Sequence, residues 1–321
     1  MESLLSVRGL TKSFKGNQVL CGIGFDVIPG EVLCILGPNG AGKSTTINIL
    51  TATLAADKGE IRFEGKSITG NLRAYKQQLG IVPQDIALYE ELSAERNLRF
   101  FASLYGLRGS RLDAAVEEAL VFAELVDRRH DQVKTFSGGM KRRLNIACAI
   151  AHHPTLVIMD EPTVGIDPQS RNHILESILR LRDGGTTVIY TTHYMEEVEA
   201  ISSRIIVLDH GAIIAEGTKE SLKESIASER HCLVEVDVPE TTSDDTTVLR
   251  SVRESLFSVD GVKSVSIEGA TIDVTSVAGI ENVDGIVSAI VGQGLPIKNM
   301  TSVPVSLEMV FLKLTGRKLR D

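Results

Sequence analysis

The sequence contains no tryptophan, and aromatic residues make up only 4% of its 321 positions. Stacking platforms for single-stranded bases would therefore be few. An excess of positive charge is missing as well: the net charge is −8. Broad nucleic-acid or anionic-membrane surfaces are usually basic, so no nucleic acid is expected as a partner. The four cysteines, Cys21, Cys34, Cys148 and Cys232, show no C-x-x-C spacing. Buried thiols in a reducing cytosol are the expectation. No stretch approaches 18 uninterrupted apolar residues, so no transmembrane helix is predicted. At the N-terminus Glu2 stands where a signal peptide wants positive charge, and Arg8 breaks the short apolar run. Low-complexity tracts and short-period repeats are also lacking.

What is present is an ordinary globular composition, 43% hydrophobic and 24% charged, long enough for two domains. The first two hundred residues alternate β-rich runs with helical patterns. "EVLCIL" (31–36), "LVIMD" (156–160) and "TTVIYTTH" (186–193) read as buried strands of a parallel sheet. "RIIVLDHGAIIAEG" (204–217) reads as two strands joined at His210-Gly211. Between about 92 and 135 apolar residues recur at three- and four-residue steps, a helical insert. After Gly217 a polar link leads into a β-α-β-β-α-β order, the ferredoxin-like split arrangement, followed by a helix from Ser306 to Thr315. In that helix Met309, Val310, Phe311 and Leu314 are expected to bury an apolar stripe. The expected domains are 1–220 and 221–321.

"GPNGAGKST" spans Gly37, Pro38, Asn39, Gly40, Ala41, Gly42, Lys43, Ser44 and Thr45, with a strand before it and a helix after. That context makes a P-loop, whose glycines let backbone N–H groups form a nest around phosphates. Lys43 would reach the β- and γ-phosphates and Ser44 would ligate Mg²⁺. Asp160 ends a buried strand, where a carboxylate could hold a water of a hard cation. Glu161, next along, could orient and deprotonate an attacking water. His193 ends a strand expected to run parallel to that of Asp160, from which it could reach the γ-phosphate. Gln84, in "IVPQD", is either a Mg²⁺ ligand through its amide oxygen or an ordinary polar residue. "SGG" (137–139) before "MKRRL" has the chemistry of an anion-binding helix start, a second phosphate half-site in the same chain.

Phe14, "GPNGAGKST", Gln84, "SGG", "LVIMDEP", "VGIDP" and His193 follow the order seen in ATP-binding subunits of ABC transporters, which the chain resembles from about Leu5 to Gly217. The resemblance implies an α/β P-loop fold: a mixed sheet, an antiparallel β subdomain and a helical insert. It implies that Phe14 stacks on adenine, that Gln84 senses nucleotide and membrane partner, and that Asp167 lies in a loop between subunits. It also explains the second half-site. Ser137, Gly138 and Gly139 of one copy would bind the γ-phosphate held by Gly37 to Thr45 of another. The implied assembly is a head-to-tail homodimer with ATP and Mg²⁺ as cofactors. The family often has Gln at Met140, Leu at Phe136 and Tyr at Phe14. "SGGMKRRL" and "SLEMVFLKLTG" resemble the drug-resistance (daunorubicin-type) exporter branch, with Met309 in place of an acidic residue.

The resulting expectation is an ATPase subunit, cytoplasmic and peripheral on the membrane's cytoplasmic face, that drives a separate integral membrane permease. A soluble ABC ATPase acting on ribosomes or nucleic acid, and a P-loop small-molecule kinase, are the alternatives. One P-loop and an acidic balance argue against the first. "SGG" and His193 would have no work in the second.

Overall fold

Lys15 and Gly16, with φ of 50° and 87°, turn the chain back between β1 (Leu5–Phe14) and β2 (Asn17–Val27). Positive φ at both central residues matches the twist of paired antiparallel strands. The computed structural model describes residues 3–225, 229–237, 245–277, 280–303 and 306–316. After β2 come β3 (Val32–Leu36), α1 (Lys43–Leu50), β4 (Lys58–Phe63), β5 (Lys66–Ser67), α2 (Leu72–Gln77) and β6 (Leu79–Val82). The helical insert holds α3 (Ala94–Leu104) and α4 (Gly109–Phe122). Next in the chain are α5 (Gly138–Ile150), β7 (Leu156–Asp160), α6 (Pro168–Asp183), β8 (Thr187–Thr192), α7 (Met195–Ile201), β9 (Arg204–Asp209) and β10 (Ala212–Gly217).

Two sheets result. β2-β1-β4-β5 is antiparallel; β10-β9-β3-β8-β7-β6 is parallel except for β10, which pairs antiparallel with β9. Every residue of β3, β7 and β8 is buried, as near-continuous apolar runs require when helices cover both faces. The order β3-β8-β7-β6 lines up four carboxyl ends and the residues just beyond them: the glycine loop, His193, Asp160 with Glu161, and Gln84. That is the edge where open parallel sheets bind ligands. In the insert, Leu98, Val116, Leu120 and Leu125 form a core of their own with Phe136 and Leu144. Ser93 is not part of a reciprocal capping box, since Arg96 stands three residues on, yet its hydroxyl still caps α3 by accepting from the Arg96 N–H.

Beyond α8 (Lys219–Glu224) lie β11 (Glu229–Val236), α9 (Asp245–Phe257), β12 (Val262–Glu268), β13 (Thr271–Val277), α10 (Val283–Val291), β14 (Ile297–Val303) and α11 (Leu307–Thr315). The sheet order β12-β13-β11-β14, antiparallel throughout, is the ferredoxin-like arrangement. Its core is Val234, Val252, Leu256, Ile272, Val274, Ile286 and Ile290 with their neighbours. Residues 238–239 and 304–305 of the expected strand runs lie outside the described residues.

The chain divides into two units, Met1–Lys219 with Phe311–Asp321, and Glu220–Val310. The end of the chain thus groups with the first unit and not, as expected, with residues 221–310. The stripe of α11 differs too. Leu307, Val310 and Phe311 are buried, whereas Leu314 is 40% exposed. Leu314, at i+7 from Leu307, is in phase with that face, and its exposure goes with its place in the last turn of the helix. Phe311→Ala should lower the unfolding free energy by about 3–5 kcal/mol, as for other buried phenylalanines. Leu314→Ala should change it by less than about 0.5 kcal/mol. Denaturant titration of both variants measures the contrast; equal losses would contradict the burial pattern.

Candidate active site

β3 delivers the chain into a turn that only glycine can make. A Cβ on Gly37 would lie 2.3 Å from the Leu208 carbonyl oxygen. Gly42, with φ of 108°, starts α1 without any side-chain cap. The first N–H groups of that eight-residue helix are therefore left for a ligand. Lys43 is only 5% exposed. Its Nζ donates to the Gly37 and Pro38 carbonyls at 2.8 and 3.2 Å and lies 3.0 Å from Glu161 Oε1. Asn39, Gly40 and Ser44 are exposed and Thr45 is half-buried; Pro38 and Ala41 are buried.

Across the sheet edge, Asp160 and Glu161 are buried at 8% and 7% exposure. The Thr191 hydroxyl donates to Asp160 Oδ1 at 2.7 Å, a contact that parallel pairing of β7 with β8 creates. Glu161 adopts φ of 44°, left-handed backbone that costs a non-glycine residue about 1–3 kcal/mol. Its N–H, held by Thr191 Oγ1 at 3.0 Å and Thr191 O at 3.2 Å, fixes that conformation. Its carboxylate then sits between Lys43 and His193, whose Nδ1 is 3.2 Å from Oε2. That contact is close without hydrogen-bond alignment, and the buried Nδ1 has no hydrogen-bond partner. An ammonium, a carboxylate and an imidazole thus converge beside the glycine loop. Such a site can bind phosphates and activate a water.

The comparisons with known proteins agree with this chemistry. The ABC transporter family model matches residues 20–164. The linearmycin resistance ATP-binding protein LnrL of Bacillus subtilis is 40% identical over 99% of this chain and 100% of its own length. The chain belongs to the ABC transporter family. It is an ABC-type ATPase, and ATP is its nucleotide. The daunorubicin resistance ATP-binding protein DrrA3 of Streptomyces coeruleorubidus is 33% identical, covering 98% of this chain and 96% of that one. Among solved structures, the dimeric post-hydrolysis ATP-binding cassette MJ0796 bound to ADP and Pi superposes with a TM-score of 0.61 at 25% identity, over 67% of this chain and 98% of that one.

The remaining motif residues of this ABC ATPase lie apart from the cluster. Phe14 ends β1, 44% exposed, with Lys12 Nζ 5.6 Å from its ring. Ser137 caps α5: its hydroxyl accepts the Met140 N–H at 3.2 Å. The Met140 side chain packs on the core of the helical insert, which is work a glutamine would do poorly. Asp167 caps α6 by accepting the Ser170 N–H at 2.9 Å, and that bond holds its carboxyl below the usual range. A Cβ added at Gly138 would meet Ile166, and one at Gly139 would meet Ser170 and Asp167. Gln84 is exposed two residues past β6, and its carbonyl accepts from Arg142.

Three functional neighbours escaped the sequence reading. Thr191 orients Asp160 and Glu161 but looked like an ordinary strand threonine. Arg142 was one member of a basic helical run. Glu197 is fully buried on α7 and accepts from Thr163 (2.5 Å), Thr192 (2.6 Å) and Tyr190 (2.9 Å), which locks the backbone on either side of His193. The pairing of β7 and β8 reveals Thr191, the contact of α5 with the segment after β6 reveals Arg142, and the packing of α7 reveals Glu197.

The glycines at the α5 start make a discriminating pair. A Cβ on Gly139 would lie 2.1 Å from Ser170 Oγ, whereas one on Gly138 meets nothing nearer than 3.8 Å. Gly139→Ala should therefore destabilise the chain by about 1–3 kcal/mol through overpacking, and Gly138→Ala should not. Thermal unfolding of both variants tests this, and equal midpoints would refute the close approach of α5 and α6.

Proposed function

We propose that the chain is the energy-converting subunit of an exporter: it dimerises head to tail on ATP, hydrolyses it with Mg²⁺, and drives a separate integral membrane permease. The observation that carries the reading is the Lys43–Glu161–His193 cluster at the mouth of the glycine loop. Glu161 is the general base and is ion-paired to the lysine that the γ-phosphate needs. Phosphate entering the nest takes Lys43 as its counter-ion and leaves the Glu161 carboxylate free to orient a water. His193, held within reach by the locked segment around it, contacts the γ-phosphate. Residues 37–45 bind the phosphates and Phe14 stacks on adenine.

Mg²⁺ suits the donor set. It takes one or two carboxylates plus phosphate oxygens and waters, not an all-protein cage. Among the described residues no group of three or more acidic, His or Cys side chains could form such a cage. Ser44, Gln84 and Asp160 would hold the ion, which neutralises charge on the β- and γ-phosphates.

The case for a dimer comes from the exposed start of α5. Ser137 and Gly138 are exposed there, at the helix end whose dipole favours an anion. In the proposal they cap the γ-phosphate of the second copy, with Asp167 at the same interface. ATP then selects the closed pair because each copy supplies contacts the other lacks.

The permease would dock beside Gln84. Ile81, Pro83, Ala87, Phe101, Leu104, Tyr105 and Asn145 line a cavity of about 230 Å³ there. Tyr89 and Leu104, 50% and 65% exposed, add apolar surface nearby. Among the described residues no helix is long and apolar enough to cross a membrane. The proposed place is the cytoplasmic face of the cell membrane. Residues 1–220 form the proposed ATPase domain, and the rest is an accessory region whose last helix belongs with it from Phe311 onward.

Glu161→Gln should bind MgATP at least as well as wild type and turn over about 10²–10⁴-fold more slowly, since the amide keeps shape and loses basicity. Rate measurements at saturating MgATP decide it, and an unchanged rate would remove Glu161 from the chemistry. Ser137→Arg should leave monomer ATP binding intact and abolish turnover. Mixed with Lys43→Ala chains, it should assemble into a dimer with one occupied site. Loss of monomer binding in Ser137→Arg alone would show the site to be in cis.

A further inference from the structure

Phe14 closes β1 directly ahead of the turn at Lys15 and Gly16, with Asn17 as its strand partner. The ladder is irregular at this end. The pairing of β1 with β2 shifts register between Leu10 and Thr11 and again between Lys12 and Ser13. A second hold comes from Asp57, between α1 and β4. Its N–H donates to the Thr11 carbonyl at 2.9 Å. Its Oδ2 accepts the Ser13 N–H at 2.7 Å, and its Oδ1 accepts from Lys12 Nζ at 2.8 Å. One residue thus clasps three consecutive positions, and the last of them adjoins Phe14. β1 and β4 can come this close because Gly59 has no side chain: a Cβ there would lie 2.6 Å from the Gly9 carbonyl oxygen.

Asp57 is exposed, and an exposed ion pair adds little to stability. What the clasp supplies is geometry. While paired with Asp57, Lys12 Nζ also stands over the Phe14 ring, 5.6 Å from its centroid. An ammonium at that distance is attracted by the ring's quadrupole. One face of the ring is thereby given to a cation, which leaves the other for a flat ligand. The ring is too exposed for packing alone to order it. A platform ordered in advance spares the ligand the entropy of ordering it on binding. The Lys12 ammonium and the Ser13 N–H hold the Asp57 carboxyl below the usual carboxylate range, so the clasp stays charged at neutral pH.

We propose that Asp57 is a positioning residue for nucleotide binding: through Ser13 and Lys12 it fixes the Phe14 ring with one face toward the ammonium and the other toward the base. The inference rests on the reading of Phe14 as the adenine platform. It divides the ligand in two. Residues 37–45 answer for the triphosphate, and the Asp57 clasp answers for the base. Asp57 follows α1, the helix that the glycine loop starts, so both halves hang on one segment of chain.

The test titrates the full chain with ATP and with inorganic triphosphate, which has the phosphates and no base. Asp57→Ala should weaken ATP binding by about fivefold or more, the low end of what one base stack is worth. Triphosphate binding should change by less than about twofold, as for other surface substitutions. Asp57→Asn keeps an acceptor for the Ser13 N–H and should lose less. In a Phe14→Ala background, Asp57→Ala should add no further loss for ATP. The chain has no tryptophan, so Phe14→Trp places a single fluorescent reporter at the platform. ATP should change its emission and triphosphate should not, and Asp57→Ala should shrink the change at saturating ATP. Equal losses for ATP and triphosphate in Asp57→Ala, or the same ATP loss with Phe14 removed, would overturn the proposal. If Phe14→Ala left the ratio of ATP to triphosphate affinity unchanged, the adenine reading itself would fall. If Phe14→Ala lowered that ratio and Asp57→Ala did not, this inference alone would fall.

Discussion

The contact on which the rest depends is the ion pair between Lys43 and Glu161. Its partners stand 118 positions apart in sequence and 3.0 Å apart in space. Both side chains are more than nine-tenths buried. Buried charges survive only when paired and hydrogen-bonded, because the loss of hydration exceeds what attraction alone returns. Each charge here has further partners: Lys43 the carbonyls of Gly37 and Pro38, Glu161 the nearby ring of His193. Taking one member away leaves the other stranded. In the proposed reaction a phosphate takes the place of Glu161 at Lys43, so that the lysine keeps a counter-ion.

The sheet makes that pair possible. Parallel β3, β8 and β7 bring three chain segments to one edge in register, Leu36 beside Thr192 and Asp160 beside Thr191. Thr191 then serves both carboxylates, one through its hydroxyl's donation and one through the backbone N–H it accepts. The left-handed turn at Glu161 results from that acceptance. A strained residue at the end of a buried strand is held by the neighbouring strand, not by its own sequence.

Much of this was legible beforehand. Glycine spacing marked the turn between β3 and α1, and short apolar runs placed Asp160 at the end of one strand and His193 at the end of another. The β-α-β-β-α-β order could be read from alternation and turn residues. What stayed hidden depends on which way a side chain faces. Arg142 sits in a run of three cations, and helical phase alone turned the middle one inward. Leu314 is in phase with Leu307, Val310 and Phe311, yet in the last turn of α11 it is exposed. Cys21 was expected to be buried, yet it is exposed, since it lies on the solvent side of β2. The grouping of Phe311 with the first unit is a long-range matter to which local pattern is blind.

The starts of α5 and α6 carry the same logic one step further. Each is capped by its own side chain, Ser137 and Asp167, and each cap accepts the N–H three residues on. The two helices approach so closely at Gly139 and Ser170 that no Cβ fits between them. Two helix starts, separated by thirty positions, are thus fixed to one another by a steric contact that cannot yield by a rotamer change at Gly139. On the other side of α5, Arg142 and Asn145 bind the backbone of 83–87. One helix therefore meets the Asp167 corner by packing and the Gln84 segment by hydrogen bonds. Packing resists compression but not separation, whereas the hydrogen bonds resist both.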